Sequence, residues 1–323
     1  MRLLFLLPLL FIASLVAAQD KILSVAFLKN DGKHVDNRDS ADYIRLVSAP
    51  DSGTVLFNLA EYYKDGKRKL IGKTSKVEPI HMEGQCIAFF KTGIRKSTCS
   101  YKDGIETGQE YDFFPNGKPY LQLAYPENGD IYNAFSGNYL IQMNFDTLGN
   151  KLVENGNGYY KGFDDSFKIV VEEGGVQNGK KDGVWKGLFN KNKAHFIESY
   201  INGTLISGTA VYEDSSTSIY KGAREVPPQF KGGLGAFYKY LGNNIQYPDD
   251  ARERNIQGVV YLSFVVEKDG KLSEIKVKKG VYPPIDSEAL RVMKRCPLWV
   301  PGTQYGRAVR VAYDVPISFS LSD

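Results

Sequence analysis

The sequence predicts a mostly β N-terminal region of hairpin repeats followed by an α+β C-terminal domain. Three observations carry this expectation. Asn-Gly, Asp-Gly and Gly-Lys pairs punctuate the chain from about Lys21 to Tyr220, between short aromatic and β-branched runs. Helical periodicity is scarce in that stretch and plain only beyond Gly233. Between the two regions, "GAREVPPQFKGG" at 222–233 holds Pro227 and Pro228, which disfavour both helix and central strand and set a boundary.

Length and composition agree. The 323 residues, 42% hydrophobic and 24% charged, fall in the ordinary globular range and suggest two domains. From Val226 to the end there are 14 Lys+Arg against 10 Asp+Glu, so the net charge of +4 resides in the last third. A nucleic-acid binder would show a basic stripe with interleaved aromatics; the short Lys276, Lys278, Lys279 face is no such stripe, and no nucleic-acid partner is expected.

The elements follow in order. Residues 1–18, with Arg2 before an apolar run and small residues at Val16 and Ala18, read as a secretory signal cut before Gln19. The run is shorter than the roughly 18 to 20 residues of a membrane span, and Pro8 interrupts it. An exported, periplasmic chain is expected; a retained inner-membrane anchor facing the periplasm is the alternative. In an oxidising compartment Cys86 and Cys99 enclose a loop short enough to bridge, worth ~3 kcal/mol. Two buried small side chains are the equal alternative. Cys296 reads as core filler.

Residues 19–221 form the repeat region. "YKDGIETGQEYDFF" from Tyr101, "VQNGKKDGVWKGLF" from Val176 and "YINGTLISGTAVY" from Tyr200 form a loose repeat, the Gly104–Gly108 spacing recurring at Gly179–Gly183 and slipping by one at Gly203–Gly208, with a further copy in "YKDGKRKLIG" from Tyr63. Each Asx-Gly pair supplies the positive φ of a tight turn, and an aromatic a few residues on packs against the next hairpin. Over most of residues 60–215 the pattern resembles MORN-type repeats, which implies a contact surface and no catalytic residues.

Beyond the 222–233 linker, Leu234, Phe237, Tyr240 and Leu241 share a helical face, and a second short helix begins after Pro248 with Asp249 and Asp250 in its first turn. Val260, Leu262, Phe264 and Val266 form the apolar face of a strand, "KDGK" the turn, and Ile275 and Val277 the inward side of its return, with Glu274, Lys276 and Lys278 outward. A helix with a stripe of Ile285, Ala289, Val292 and Cys296 follows, then a long strand with Val309, Val311, Tyr313, Val315, Ile317 and Phe319 on one face. Trp299, between helix and strand, reads as core.

Residues 227–323 resemble the periplasmic C-terminal domain of TonB. The resemblance rests on Phe230 with Gly232 and Gly233, Tyr247-Pro248 followed by Ala251, Gly258-Val259, Phe264 with Val266, Asp269-Gly270, Ala289, Trp299 with Pro301-Gly302, Gly306, Val309, and Pro316-Ile317. It implies helices packed on a three-stranded antiparallel sheet, and a TonB-dependent outer-membrane transporter as partner, whose TonB-box peptide adds a strand to the sheet edge. Pro316, lacking an N–H, fits an edge strand. The partner-binding residues so implied are Gln246, Tyr247 and Pro248, matching the family's Gln-Tyr-Pro segment; to them the last strand adds Val309, Val311 and Tyr313, with Arg307 and Arg310 flanking it or facing outward to meet acidic positions of a partner. For Tyr247 and Pro248 the alternative is a turn into the second helix; for Arg307 and Arg310 it is solvated edge protection.

The chain departs from an energy-transducing TonB in lacking a Pro-rich spacer. A full transducer with a retained anchor is thus the runner-up to a soluble binding module, and an envelope scaffold without transporter binding is the third reading. The repeats could serve as a platform for other envelope components. No enzyme is expected, since Gly-x-Ser-x-Gly, His-Glu-x-x-His and phosphate-loop motifs are absent. The pairs Asp164-Asp165 and Glu172-Glu173 would face opposite ways on strands. No cofactor or small-molecule substrate is implied, and the three cysteines with His34, His81 and His195 show no metal-ligand spacing.

Overall fold

The computed structural model describes residues 21–127 and 139–321, so the expected signal segment at 1–18 lies outside the described residues. The chain divides into two compact units, Met1–Gly156 and Asn157–Asp323.

The first unit is an antiparallel meander. Its strands are β1 (Ile22–Leu28), β2 (His34–Val35), β3 (Tyr43–Ser48), β4 (Phe57–Tyr63), β5 (Arg68–Thr74), β6 (Met82–Phe89), β7 (Arg95–Lys102), β8 (Ile105–Phe113), β9 (Pro119–Tyr125), β10 (Leu140–Phe145) and β11 (Lys151–Glu154). From β3 onward each strand pairs with its successor in sequence, and β1 pairs with both β2 and β3. The tightest link, Asp103-Gly104 between β7 and β8, fits this connectivity, since a two-residue Asx-Gly turn joins only adjacent antiparallel strands. Buried Glu61 is satisfied by Arg45, at 2.7 Å and 2.9 Å, and by Lys69 at 2.5 Å, which meets the demand that a buried carboxylate be paired. Cys86 and Cys99 lie directly opposite each other across β6 and β7, both buried, with their thiols unbridged in this structure.

The second unit opens with six hairpin strands, β12 (Asn157–Phe163), β13 (Val170–Gln177), β14 (Lys180–Phe189), β15 (Ala194–Ile201), β16 (Thr204–Val211) and β17 (Thr217–Tyr220), again paired in sequence order. Their turns take the expected form, with Asn178 and Gly179 at φ +51° and +78°, and Asn202 and Gly203 at +47° and +83°. The aromatic side of the repeat has a further rule. Trp185, Phe196 and Tyr220 each stand directly across the ladder from a glycine, Gly174, Gly187 and Gly208 respectively. The ring lies over that glycine so closely that an added Cβ would come within 2.2 to 2.4 Å of it. The repeat glycines therefore serve two ends, turning the chain and making room for the neighbour's ring. Truncating Trp185 or Phe196, each at most 2% exposed, would cost about 3–5 kcal/mol.

The remainder carries β18 (Glu225–Val226), β19 (Gln229–Phe230), α1 (Gly233–Asn244), α2 (Asp249–Glu253), β20 (Gly258–Val266), β21 (Leu272–Lys279), α3 (Pro283–Lys294), β22 (Trp299–Val300), β23 (Thr303–Gln304), β24 (Arg307–Ala308) and β25 (Val311–Phe319). The principal sheet has the order β21-β20-β25, all antiparallel, as the TonB resemblance implies. Phe237, Leu241, Val260, Leu262, Phe264, Val266, Ile285, Ala289, Val292, Trp299, Val315 and Ile317 form one core. Trp299 is its hub, edge-on to Phe237 and Phe264 at 5.4 Å and to Tyr313 at 5.5 Å. Its N–H donates to the Gly270 carbonyl at 2.9 Å, and a Cβ on Gly270 would sit 2.1 Å from the Trp299 carbonyl, which explains the Asp269-Gly270 turn.

Three expectations need correction. Leu234 faces outward, 58% exposed, because the buried stripe of α1 starts at Phe237. Cys296 lies past the end of α3, packed partly buried against the core, and within the helix Glu288 and Met293 complete the buried face. The last strand begins at Val311, since the Val309 N–H is drawn to the Gly302 carbonyl at 2.9 Å.

Residues 222–233, expected as a linker, pair with the C-terminal domain through β18–β23 and β19–β22. The same domain is seated on the last hairpins. Tyr305 stacks on Phe189 at 4.1 Å and meets Tyr220 edge-on at 5.7 Å, and Ser218 donates to the Tyr305 carbonyl. Arg224 lies 4.2 Å over the Phe196 ring, grips Glu198 at 2.6 and 2.8 Å, and reaches Glu172 at 2.7 Å. Burial pushes the Glu172 carboxyl up, but the Lys181 and Arg224 charges beside it prevail and hold it below the ordinary range. Removing Arg224 would strand the fully buried Glu198 carboxylate at a cost of about 3–5 kcal/mol.

Candidate peptide-binding edge

The strand β25 pairs with β20 over nine consecutive residue pairs, from Gly258↔Phe319 to Val266↔Val311, without a bulge. Among the described residues it has no second strand partner, so its other side is an open edge. Val315, Ile317 and Phe319 are buried toward the helices, whereas Ala312, Asp314, Pro316 and Ser318 face solvent. Proline at 316 suits an edge strand, where the ladder need not use its nitrogen. Such an edge offers unpaired backbone groups to an incoming extended segment.

Beside the C-terminal half of β25 runs a groove of about 370 Å³, walled by Tyr238, Leu241 and Gly242 of α1, by Ile245 and Tyr247, and by Ile317 to Ser320. The Tyr247 ring stands edge-on to Phe319 at 5.9 Å and its hydroxyl donates to the Ile256 carbonyl at 2.6 Å, so this wall is fixed. The chain entering it is clamped from α3. Glu288 accepts the Gln246 backbone N–H at 2.6 Å and both arms of the Arg291 guanidinium at 2.6 Å, and Arg291 donates to the Asn244 carbonyl at 2.7 Å. Burial raises the Glu288 carboxyl, yet these donors outweigh it and leave it below the ordinary range.

The expected site residues divide between two ends of the strand. Tyr247 joins the groove and the core together, and Pro248 caps α2, its carbonyl accepting the Arg252 N–H at 3.0 Å. Gln246 is held by its backbone with its side chain exposed. Val311 and Tyr313 lie at the far end of β25, roughly 27 and 20 Å from Phe319 at about 3.4 Å per residue. Tyr313 packs on Trp299 and Phe264. Exposed Arg310 forks onto Glu267 at 2.8 and 2.9 Å and reaches Glu274 at 2.7 Å, so the acids it meets are its own chain's. Arg307 needs correction: it stands on β24 with its guanidinium 3.5 Å over Tyr212, bonded to Ser216 and 3.7 Å from Asp214. It belongs to the seat on the hairpins and not to the last strand.

Sequence reasoning missed Tyr238, Gly242 and the Glu288–Arg291 clamp. A signal for the first two was present, since an aromatic and a glycine four apart fall together on the helix side left over once the core face is assigned. The larger hollow of about 510 Å³ lies on the sheet face of the first unit, and its Lys73 is engaged by Asp51 and Asn58. It has no open backbone edge, which is why β25 is the stronger site. Among the described residues no group of three or more His, Cys, Asp or Glu could hold a metal ion, and no helix is long and apolar enough to cross a membrane.

Comparison with known proteins points to the same region. No curated protein matches the chain. Solved structures of the Helicobacter pylori TonB C-terminal domain are similar: the NMR structure of its residues 194–285 is 26% identical, covering 28% of this chain and 95% of that one, with a TM-score of 0.23. That of residues 179–285 is 25% identical over 28% and 81%, with the same TM-score. Residues 243–321 match the family described as the Gram-negative bacterial TonB protein C-terminal, so the chain carries a TonB-like protein-interaction module there.

Proposed function

We propose that this chain is a periplasmic peptide-binding module that engages TonB-dependent outer-membrane transporters, capturing an extended TonB-box segment by strand addition to β25. The observation that carries this reading is the regular edge of β25, unpartnered among the described residues, within the stretch similar to the TonB family. Backbone pairing would supply affinity, and neighbouring side chains the register. The test is a pull-down of detergent-solubilised outer membrane with the full chain, using Ser318→Pro as control. Recovery of a transporter by wild type alone supports the reading; equal recovery by both removes it.

The hairpins, read as MORN-like, serve in this proposal as a platform for another envelope component. One observation favours a scaffold role: Ile197 and Ile219 align through Thr209 across β15, β16 and β17, and both are more than half exposed. Replacing both with Lys should abolish capture of an envelope partner while transporter binding persists. Loss of the transporter with the same variant would count against separate surfaces.

A further inference from the structure

We infer that the groove beside β25 reads one bulky, uncharged apolar side chain of the added strand, and that Gly242 sets the size of that side chain. The inference rests on strand addition as proposed above and adds a sequence requirement to it.

The stretch Ile317–Phe319 both floors the groove and belongs to the open edge. A strand added there lies about 4.8 Å from β25, and its side chains alternate between the two sheet faces. Those turned to the helix-covered face enter the groove, so an extended segment of a partner is the occupant that the backbone edge itself prepares. The walls hold two tyrosines, two serines, one glycine and aliphatic or phenyl side chains, with no Lys, Arg, Asp or Glu. An acidic or basic side chain would lose its hydration there without a counter-charge. The Tyr247 hydroxyl is already committed to Ile256, which leaves its ring as the surface on offer.

Gly242 shapes the opening. It lies in α1 with open space where a Cβ would be, and its neighbour one turn earlier, Tyr238, is 53% exposed. A Cβ at 242 meets nothing within 4 Å, so a leucine there would leave the helix unobstructed and project over the groove, and helix propensity favours leucine over glycine. Gly242→Leu should therefore fold as wild type and change only the space for the guest side chain.

The probe is a phage-displayed library of random decapeptides, selected against the full chain, Gly242→Leu and Ser318→Pro, with melting temperatures measured in parallel. Wild type should enrich peptides with a bulky aliphatic or aromatic residue at one fixed position between smaller neighbours. Gly242→Leu should shift that position to Gly, Ala or Ser and bind the wild-type peptides at least about tenfold more weakly, the scale of a misfit in an apolar pocket. Enrichment without positional preference, or an unchanged preference in Gly242→Leu, overturns the groove inference and leaves strand addition standing. Enrichment of no peptide by wild type, or equal capture by Ser318→Pro, overturns strand addition and the groove inference with it.

Discussion

The three-stranded sheet has two edges, and they are built differently. On β21 the outward side chains are Glu274, Lys276 and Lys278, with Lys279 at the end. Its ladder to β20 slips twice, between Tyr261 and Leu262 and between Ser263 and Val265, and Glu274 takes a left-handed φ of +51°. Lysines and bulges are how sheets blunt an edge against pairing. On β25 the ladder is unbroken, and the exposed residues are Ala312, Asp314, Pro316 and Ser318. Both strands pair with β20 and share one core, so sheet stability alone does not require the contrast. The difference teaches that one edge is protected along its length, whereas the other is kept available except at Pro316, which offers no outward N–H.

The largest expected effect comes from breaking the available edge. Proline is accepted at 316 because its nitrogen points away from β20, and Ser318, two residues on, aims its N–H the same way. Ser318→Pro should reduce transporter capture to background with the melting temperature unchanged. Val311, five residues from Pro316, turns its N–H toward β20, so proline there should lower the melting temperature as well. A Ser318→Pro protein that still captures peptide would erase the contrast between the edges.

Next in size is the converse, making β21 resemble β25. Replacing Lys276, Lys278 and Lys279 together with Thr should produce concentration-dependent self-association, visible as rising mass by light scattering. A strictly monomeric triple variant would assign the protection to the bulges alone.

A smaller effect concerns the clamp behind the groove. The folded Glu288 carboxyl lies below its ordinary value of 4.5, so its stabilisation is present above that pH and is lost as pH falls through the lower folded value. Wild type should lose thermal stability on acidification below about 4.5 more steeply than Glu288→Gln does. Parallel curves would mean that Glu288 does not hold the 244–246 segment. The smallest effect belongs to Arg310, exposed and tied to Glu267 and Glu274. Arg310→Ala should leave melting and capture close to wild type, because exposed ion pairs contribute little. A large loss of capture alone would move Arg310 into the binding surface.

Period-2 and helical patterning made the C-terminal elements legible: Val260, Leu262, Phe264 and Val266 are all buried on β20, and Phe237 and Leu241 on α1. Asx-Gly pairs likewise announced the hairpins, since a tight turn depends on a few consecutive residues. The Gln246-Tyr247-Pro248 tripeptide was visible as a motif, but its parts separate only in space. Tyr247 lines the groove and Pro248 caps a helix, while Gln246 is pinned by Glu288, forty-two residues away.

What the sequence by itself determined was therefore local: where the chain turns, which face of each element is apolar, and the TonB-like character of its last third. Which edge of the sheet stays open, where Arg307 ends up and how Gly242 and Ile317 come to share a groove were decided by tertiary structure alone. Turn propensity and patterning act between residues a few positions apart, whereas edges, seats and grooves arise from elements that meet only after the chain has packed.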